Sequence, residues 1–141
     1  MASQLLEQQQ KVVSLTAYKV LSIELAAGLG HTFYDNETDY ETVYFDQEIQ
    51  HDFASWVSGD SMEPLYPNGS VALMKQTGFD YDGAVYALIW NGKTYIKKVY
   101  REAEGLRLES INPDYDDLFA PYEDEPKIVG IVVGHFLPLE V

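Results

Sequence analysis

The 141-residue sequence contains no cysteine. That excludes a disulfide framework, a thiolate zinc site and a cysteine nucleophile, and it fits a reducing, cytoplasmic setting. Basic residues are scarce: nine Lys and Arg stand against twenty-three Asp and Glu, a net charge of -14. Proteins hold duplex DNA through clustered cations that displace counterions, so this chain is not expected to bind nucleic acid by itself. No apolar run approaches the roughly 18 residues of a membrane span, and the Gln-rich first residues lack the apolar stretch of a secretory signal. A soluble, cytoplasmic protein with no membrane partner is expected. There are three histidines, His31, His51 and His135. None sits in a motif that would place it beside a serine or a metal. The acidic runs at 35–41 and 114–125 lack calcium-loop spacing and read as solvated loops. No metal or other cofactor is expected.

Aromatic residues are plentiful, with eleven Tyr, and 46% of the chain is apolar. That composition leans towards strands and suffices for one core. Residues 1–17 are polar at first and read as a linker or N-terminal arm, and residues 18–141 as one domain. Strand composition or alternation occurs at 18–25, 42–45, 53–57, 71–74, 84–90, 94–100, 106–111 and 127–136. Trp90-Asn91-Gly92-Lys93 marks a tight hairpin turn. The two prolines of 61–69 exclude a long helix there. The expected fold class is all-β, about eight short strands with little helix.

Three features carry chemistry. The first is Ser58-Gly59-Asp60-Ser61-Met62-Glu63-Pro64. A serine hydroxyl needs an adjacent base to become nucleophilic, and the backbone N–H groups of Ser61 and Met62 could stabilise an oxyanion. Taken alone, Ser61 is a loop serine between a glycine and a proline. The second is Tyr95-Ile96-Lys97-Lys98-Val99. Alternation puts Lys97 on one face with Tyr95 and Val99, leaving Lys98 free to meet water. A lysine set against apolar groups loses hydration of its charged form, so its pKa falls and its neutral amine can take a proton. Taken alone, Lys97 is an ordinary strand lysine. The third is Leu25-Ala26-Ala27-Gly28-Leu29, a small-residue stretch that a peptidase cleft could hold extended.

Together these pieces resemble the LexA/UmuD peptidase family, which includes lambda-type phage repressors. There a serine in Gly-x-Ser-Met pairs with a lysine about three dozen residues later, and the domain cuts its own chain at an upstream Ala-Gly or Cys-Gly bond. Here Ser61 and Lys97 stand 36 positions apart, and Ala27 precedes Ser61 by 34. Ser110-Ile111-Asn112-Pro113-Asp114-Tyr115 looks like a further segment of the phage-repressor branch. The resemblance spans roughly residues 19–136. It implies a LexA/signal-peptidase-like β-fold, Ser61 as nucleophile, Lys97 as base and Ala27-Gly28 as the cleaved bond. It implies a homodimer formed through C-terminal strands and a RecA–single-stranded-DNA filament as trigger. Operator DNA would be reached only through an N-terminal helix-turn-helix domain, which nothing before Tyr18 could form. The alternatives are a non-catalytic dimerisation and partner-binding module, and a UmuD-like processing protein. Type I signal peptidases share the Ser-Lys pair but need a membrane anchor. Finally, the run at 128–136 is apolar on both alternating faces, so a strand buried on one face and covered by a partner on the other is expected, with Phe136 and Leu137 at the contact; taken alone, such a run also reads as a central core strand.

Overall fold

The computed structural model describes residues 14–29 and 40–140. The first thirteen residues of the expected arm, His31 and most of the first acidic run lie outside the described residues. Nine strands form one mixed sheet: β1 Thr16–Val20, β2 Glu41–Phe45, β3 Phe53–Trp56, β4 Val71–Gln76, β5 Val85–Trp90, β6 Lys93–Arg101, β7 Gly105–Glu109, β8 Leu118–Pro121 and β9 Lys127–Phe136. Their order across the sheet is β2-β1-β3-β4-β9-β5-β6-β7-β8. All neighbours run antiparallel except β1 and β3. The expectation of a mainly β domain with little helix holds.

The Asn-Gly pair closes the β5–β6 hairpin as its residue types require. Asn91 and Gly92 both take positive φ, 50° and 72°, which a two-residue turn of this hand demands. Three apolar clusters fill the fold. One joins Leu21, Ile23 and Ala26 to Phe53, Met62, Met74 and Ile96. A second gathers Tyr86, Leu88, Val99 and Leu108. The third packs Tyr18, Val20, Val71 and Leu73 around Phe136.

Three expectations need correction. Residues 18–25 do not form one strand, because β1 stops at Val20 and a helix, α1, covers Ile23–Leu29. Glu24, Leu25, Ala26 and Ala27 are strong helix formers. The i, i+3 pair Ile23 and Ala26 buries one side of that helix in the core, which an extended chain with period two could not do. Ala27-Gly28 therefore sits in a helical turn, not an extended segment. Second, the run at 114–125, read as a solvated loop, contains β8, which pairs with β7. Third, Phe136 does not sit at a partner contact, and β9 is an interior strand with β4 and β5 on its two edges. Phe136 is only 3% exposed and stacks on Phe45 at 4.5 Å, so it is core, while Leu137 is exposed.

Candidate active site

The loop from β3 to β4 presents Ser61. Its ends are tied together: Val57 N–H donates to Ser70 O and Gly69 N–H to Val57 O, both at 2.8 Å. Gly59 takes φ 82°, a conformation that side chains resist, and its N–H donates to Asn68 Oδ1 at 2.8 Å. A single helical-type turn follows, in which Tyr66 N–H donates to Met62 O at 2.9 Å. Met62 is buried at the root of this turn. It anchors the loop in the same cluster as Ile96 of β6, and so brings Ser61 to the next residue of that strand.

Lys97 Nζ lies 2.6 Å from Ser61 Oγ. Lys97 is 7% exposed, and among the described residues it makes no ion pair. Burial pushes its pKa down from the ordinary lysine value, because an ammonium loses more hydration on burial than an amine does. Its neighbour behaves in the opposite way. Lys98 is half-exposed, pairs with Glu109 at 3.3 Å and has its pKa raised by hydrogen bonds to Glu109 and Tyr100. The strand thus holds one lysine biased towards the neutral form and one held charged.

Ser61 and Lys97 line a cleft of about 760 Å³, which Leu21, Val57, Tyr115 and Leu118 also border. Such a volume suits a short extended peptide. Ala27 is not among the described residues that line the cleft. The carbonyl oxygen of Ala27 instead accepts a long, 3.5 Å hydrogen bond from Lys127 Nζ at the start of β9. His51 Nδ1 is 2.7 Å from Ile49 O and the His135 ring lies 4.7 Å from that of Tyr66; neither lines the cleft. No cluster of three or more metal-binding side chains occurs among the described residues, and no helix there is long and apolar enough to cross a membrane.

The segment after β7 also reaches the serine. Asn112 donates its side-chain amide to Asp60 O at 3.1 Å and its backbone N–H to Ser61 O at 2.9 Å. The Tyr115 hydroxyl donates to the Asp60 carboxylate, and its ring stands 5.9 Å from Lys97 Nζ. Sequence reasoning singled out this segment by resemblance but assigned it no role. An Asn-Pro pair signals a turn, and nothing in that signal says which loop the turn grips.

The Peptidase S24-like family profile matches residues 19–133. The chain belongs to this family. Among curated proteins it is similar to the "Repressor protein CI" of Enterobacteria phage phi80, at 42% identity over 77 residues, 53% of this chain and 32% of that protein. The "LexA repressor" of Citrifermentans bemidjiense is 33% identical over 86 residues, 60% of this chain and 43% of that protein. The "LexA repressor" of Lacticaseibacillus casei is 30% identical over 118 residues, 81% of this chain and 55% of that protein. The S24-like chain thus spans from about a third to about half the length of these relatives.

Proposed function

We propose that this S24-like chain is the self-cleaving domain of a transcriptional repressor, in which Ser61 and Lys97 cut the Ala27-Gly28 bond of their own chain. The observation that carries the reading is the 2.6 Å approach of Ser61 Oγ to a buried lysine amine that burial biases towards its neutral form. Neutral Lys97 takes the Ser61 hydroxyl proton as Oγ bonds to the Ala27 carbonyl carbon. The carbonyl electrons move to oxygen, where the backbone N–H groups of Ser61 and Met62 receive the negative charge. Collapse breaks the C–N bond. The Lys97 ammonium returns the proton to the departing Gly28 amine, and water then hydrolyses the Ala27 ester. Nucleophile and substrate share one chain, so the reaction is first order and needs no encounter.

The described conformation holds Ala27-Gly28 within α1. Cleavage on this reading requires α1 to unwind and the freed segment to enter the cleft, so the observed rate is the chemical rate multiplied by the unwound fraction. A RecA–single-stranded-DNA filament would act by binding the unwound form more tightly, as in an SOS-like response. The chain's net charge of -14 makes it a poor ligand for DNA, so operator binding belongs to a segment outside this sequence. Two half-site readers joined by a dimer bind far better than separated ones, and cutting between reader and dimer ends repression.

Incubating the purified chain at increasing pH and following its mass tests the reading. Fragments 1–27 and 28–141 should accumulate with first-order kinetics independent of protein concentration, and not in Ser61→Ala. An intact wild-type chain at alkaline pH would favour the non-catalytic dimerisation module instead.

A further inference from the structure

We infer that Asn112 is a positioning residue that aims the two oxyanion-stabilising N–H groups at the reacting carbonyl. The inference rests on the serine–lysine reading of the site and names what organises its oxyanion hole. A trans peptide unit is planar, and its C=O and the following N–H point in opposite directions. Asn112 grips two consecutive units: its Nδ2 donates to Asp60 O at 3.1 Å and its backbone N–H to Ser61 O at 2.9 Å. Those carbonyls belong to the same planes as the N–H groups of Ser61 and Met62. Fixing both carbonyls towards Asn112 directs both N–H groups away from it. Among the described residues, neither N–H donates to a protein acceptor, so both are available to a substrate oxygen.

Asn112 is itself held. Its Oδ1 accepts the Asp114 N–H at 3.0 Å, its carbonyl accepts the Tyr115 N–H at 3.2 Å, and the Tyr115 hydroxyl closes the clasp on Asp60. The role needs a side chain that donates and accepts at once. Asparagine does so, aspartate only accepts and alanine does neither. Preorganised donors lower the barrier because they need no reorientation when the oxyanion forms. The Asp60 carbonyl also accepts the Glu63 N–H at 3.1 Å, so losing the Asn112 amide leaves it held from one side, and a donor aimed less tightly forfeits part of that gain although the dyad stays in place.

Two reagents that attack the same position separate aiming from mere support. A fluorophosphonate bonds phosphorus to Ser61 Oγ, with loss of fluoride and transfer of the hydroxyl proton to Lys97. Its phosphoryl oxygen takes up negative charge where the two N–H groups point. Iodoacetamide alkylates the sulfur of a Ser61→Cys variant by displacing iodide and builds no oxyanion. Asn112→Asp keeps the contact with Asp114 and loses the donation to Asp60. It should slow both self-cleavage and phosphonylation by about tenfold or more, while alkylation in the Ser61→Cys background and its pH dependence stay unchanged. Asn112→Ala, which adds no charge, should show the same pattern with native circular dichroism. Unchanged phosphonylation, or phosphonylation and alkylation falling together, would overturn the inference. A wild-type chain that takes the phosphonate without cutting itself would refute self-cleavage yet leave the Asn112 comparison readable. One that does neither would refute the dyad, and this inference with it.

Discussion

Lys97 and Lys98 are adjacent on β6, yet their surroundings drive their amines in opposite directions. The cause is geometric: β6 turns Lys97 into the loop that carries Ser61 and Lys98 towards Glu109 on β7. Ser61→Ala and Lys97→Ala should therefore each abolish self-cleavage while circular dichroism stays native. Lys98→Ala, which removes only a partly exposed ion pair, should cleave at the wild-type rate. Retained cleavage in Lys97→Ala with loss in Lys98→Ala would transfer the base to the wrong neighbour. The pH dependence follows from the lowered pKa. The neutral fraction of Lys97 grows as pH rises through that pKa, so the cleavage rate should climb with pH and reach half-maximum below 10.5, the ordinary lysine value. A midpoint at or above that value would exclude Lys97 as the base. Linkage has the same sign: the unfolded chain binds the Lys97 proton more tightly, so this group's contribution to stability rises with pH between the folded and unfolded values.

Among the elements, α1 governs access to the reaction on the proposed reading. It is two turns long and too short to be stable by itself; its anchors are Ile23 and Ala26 in the core. Exposed Glu24 lies in its first turn. Glu24→Gly removes a favourable charge near the helix N-terminus and costs about 1 kcal/mol of helix propensity. If unwinding precedes cleavage, the first-order rate should rise about fivefold. An unchanged rate in a stopped time course would show that α1 does not limit access. The site of the cut has its own check, because N-terminal sequencing of the large product should read Gly28-Leu29-Gly30-His31. A different first residue would displace Ala27-Gly28 from the proposal.

For the whole molecule, the proposed dimer needs a surface on which a second copy sits. β9 offers no free edge, because β4 and β5 occupy both. Exposed apolar side chains remain near its end and beyond it, Val133 within β9 at 43% and Leu137 and Leu139 past it at 57% and 38%. We place the proposed two-fold contact there. Such a contact uses the same patch twice, so one substitution counts in both subunits. Leu137→Glu should turn a dimer into a folded monomer, read by light scattering together with circular dichroism. Phe136→Glu should instead unfold the chain, because a carboxylate set among Phe45, Tyr18 and Val71 has no partner. A wild-type chain that stays monomeric at high micromolar concentration would remove the dimer from the proposal.

Local chemistry made the fold class, the Asn91-Gly92 hairpin and most strand positions readable from the residues alone, because alternation and turn geometry depend on near neighbours. The candidate nucleophile and base could be named only through the family resemblance that their motifs and spacing carry. Their 2.6 Å approach could not, since it depends on Met62 docking the serine loop beside Ile96. The same limit explains the misread segments. Residues 23–29 carry helix formers, but only the core around Phe53 and Met62 decides between a helical stripe and an extended face. Phe136 and Leu137 are equally apolar, and the sheet's position relative to β1 and β2 buries one and leaves the other in water. Asn112 lies 52 positions from the carbonyl its side chain grips, a separation no local pattern spans. Tertiary structure alone decided that contact, because only chain closure brings the β7–β8 turn onto the serine loop.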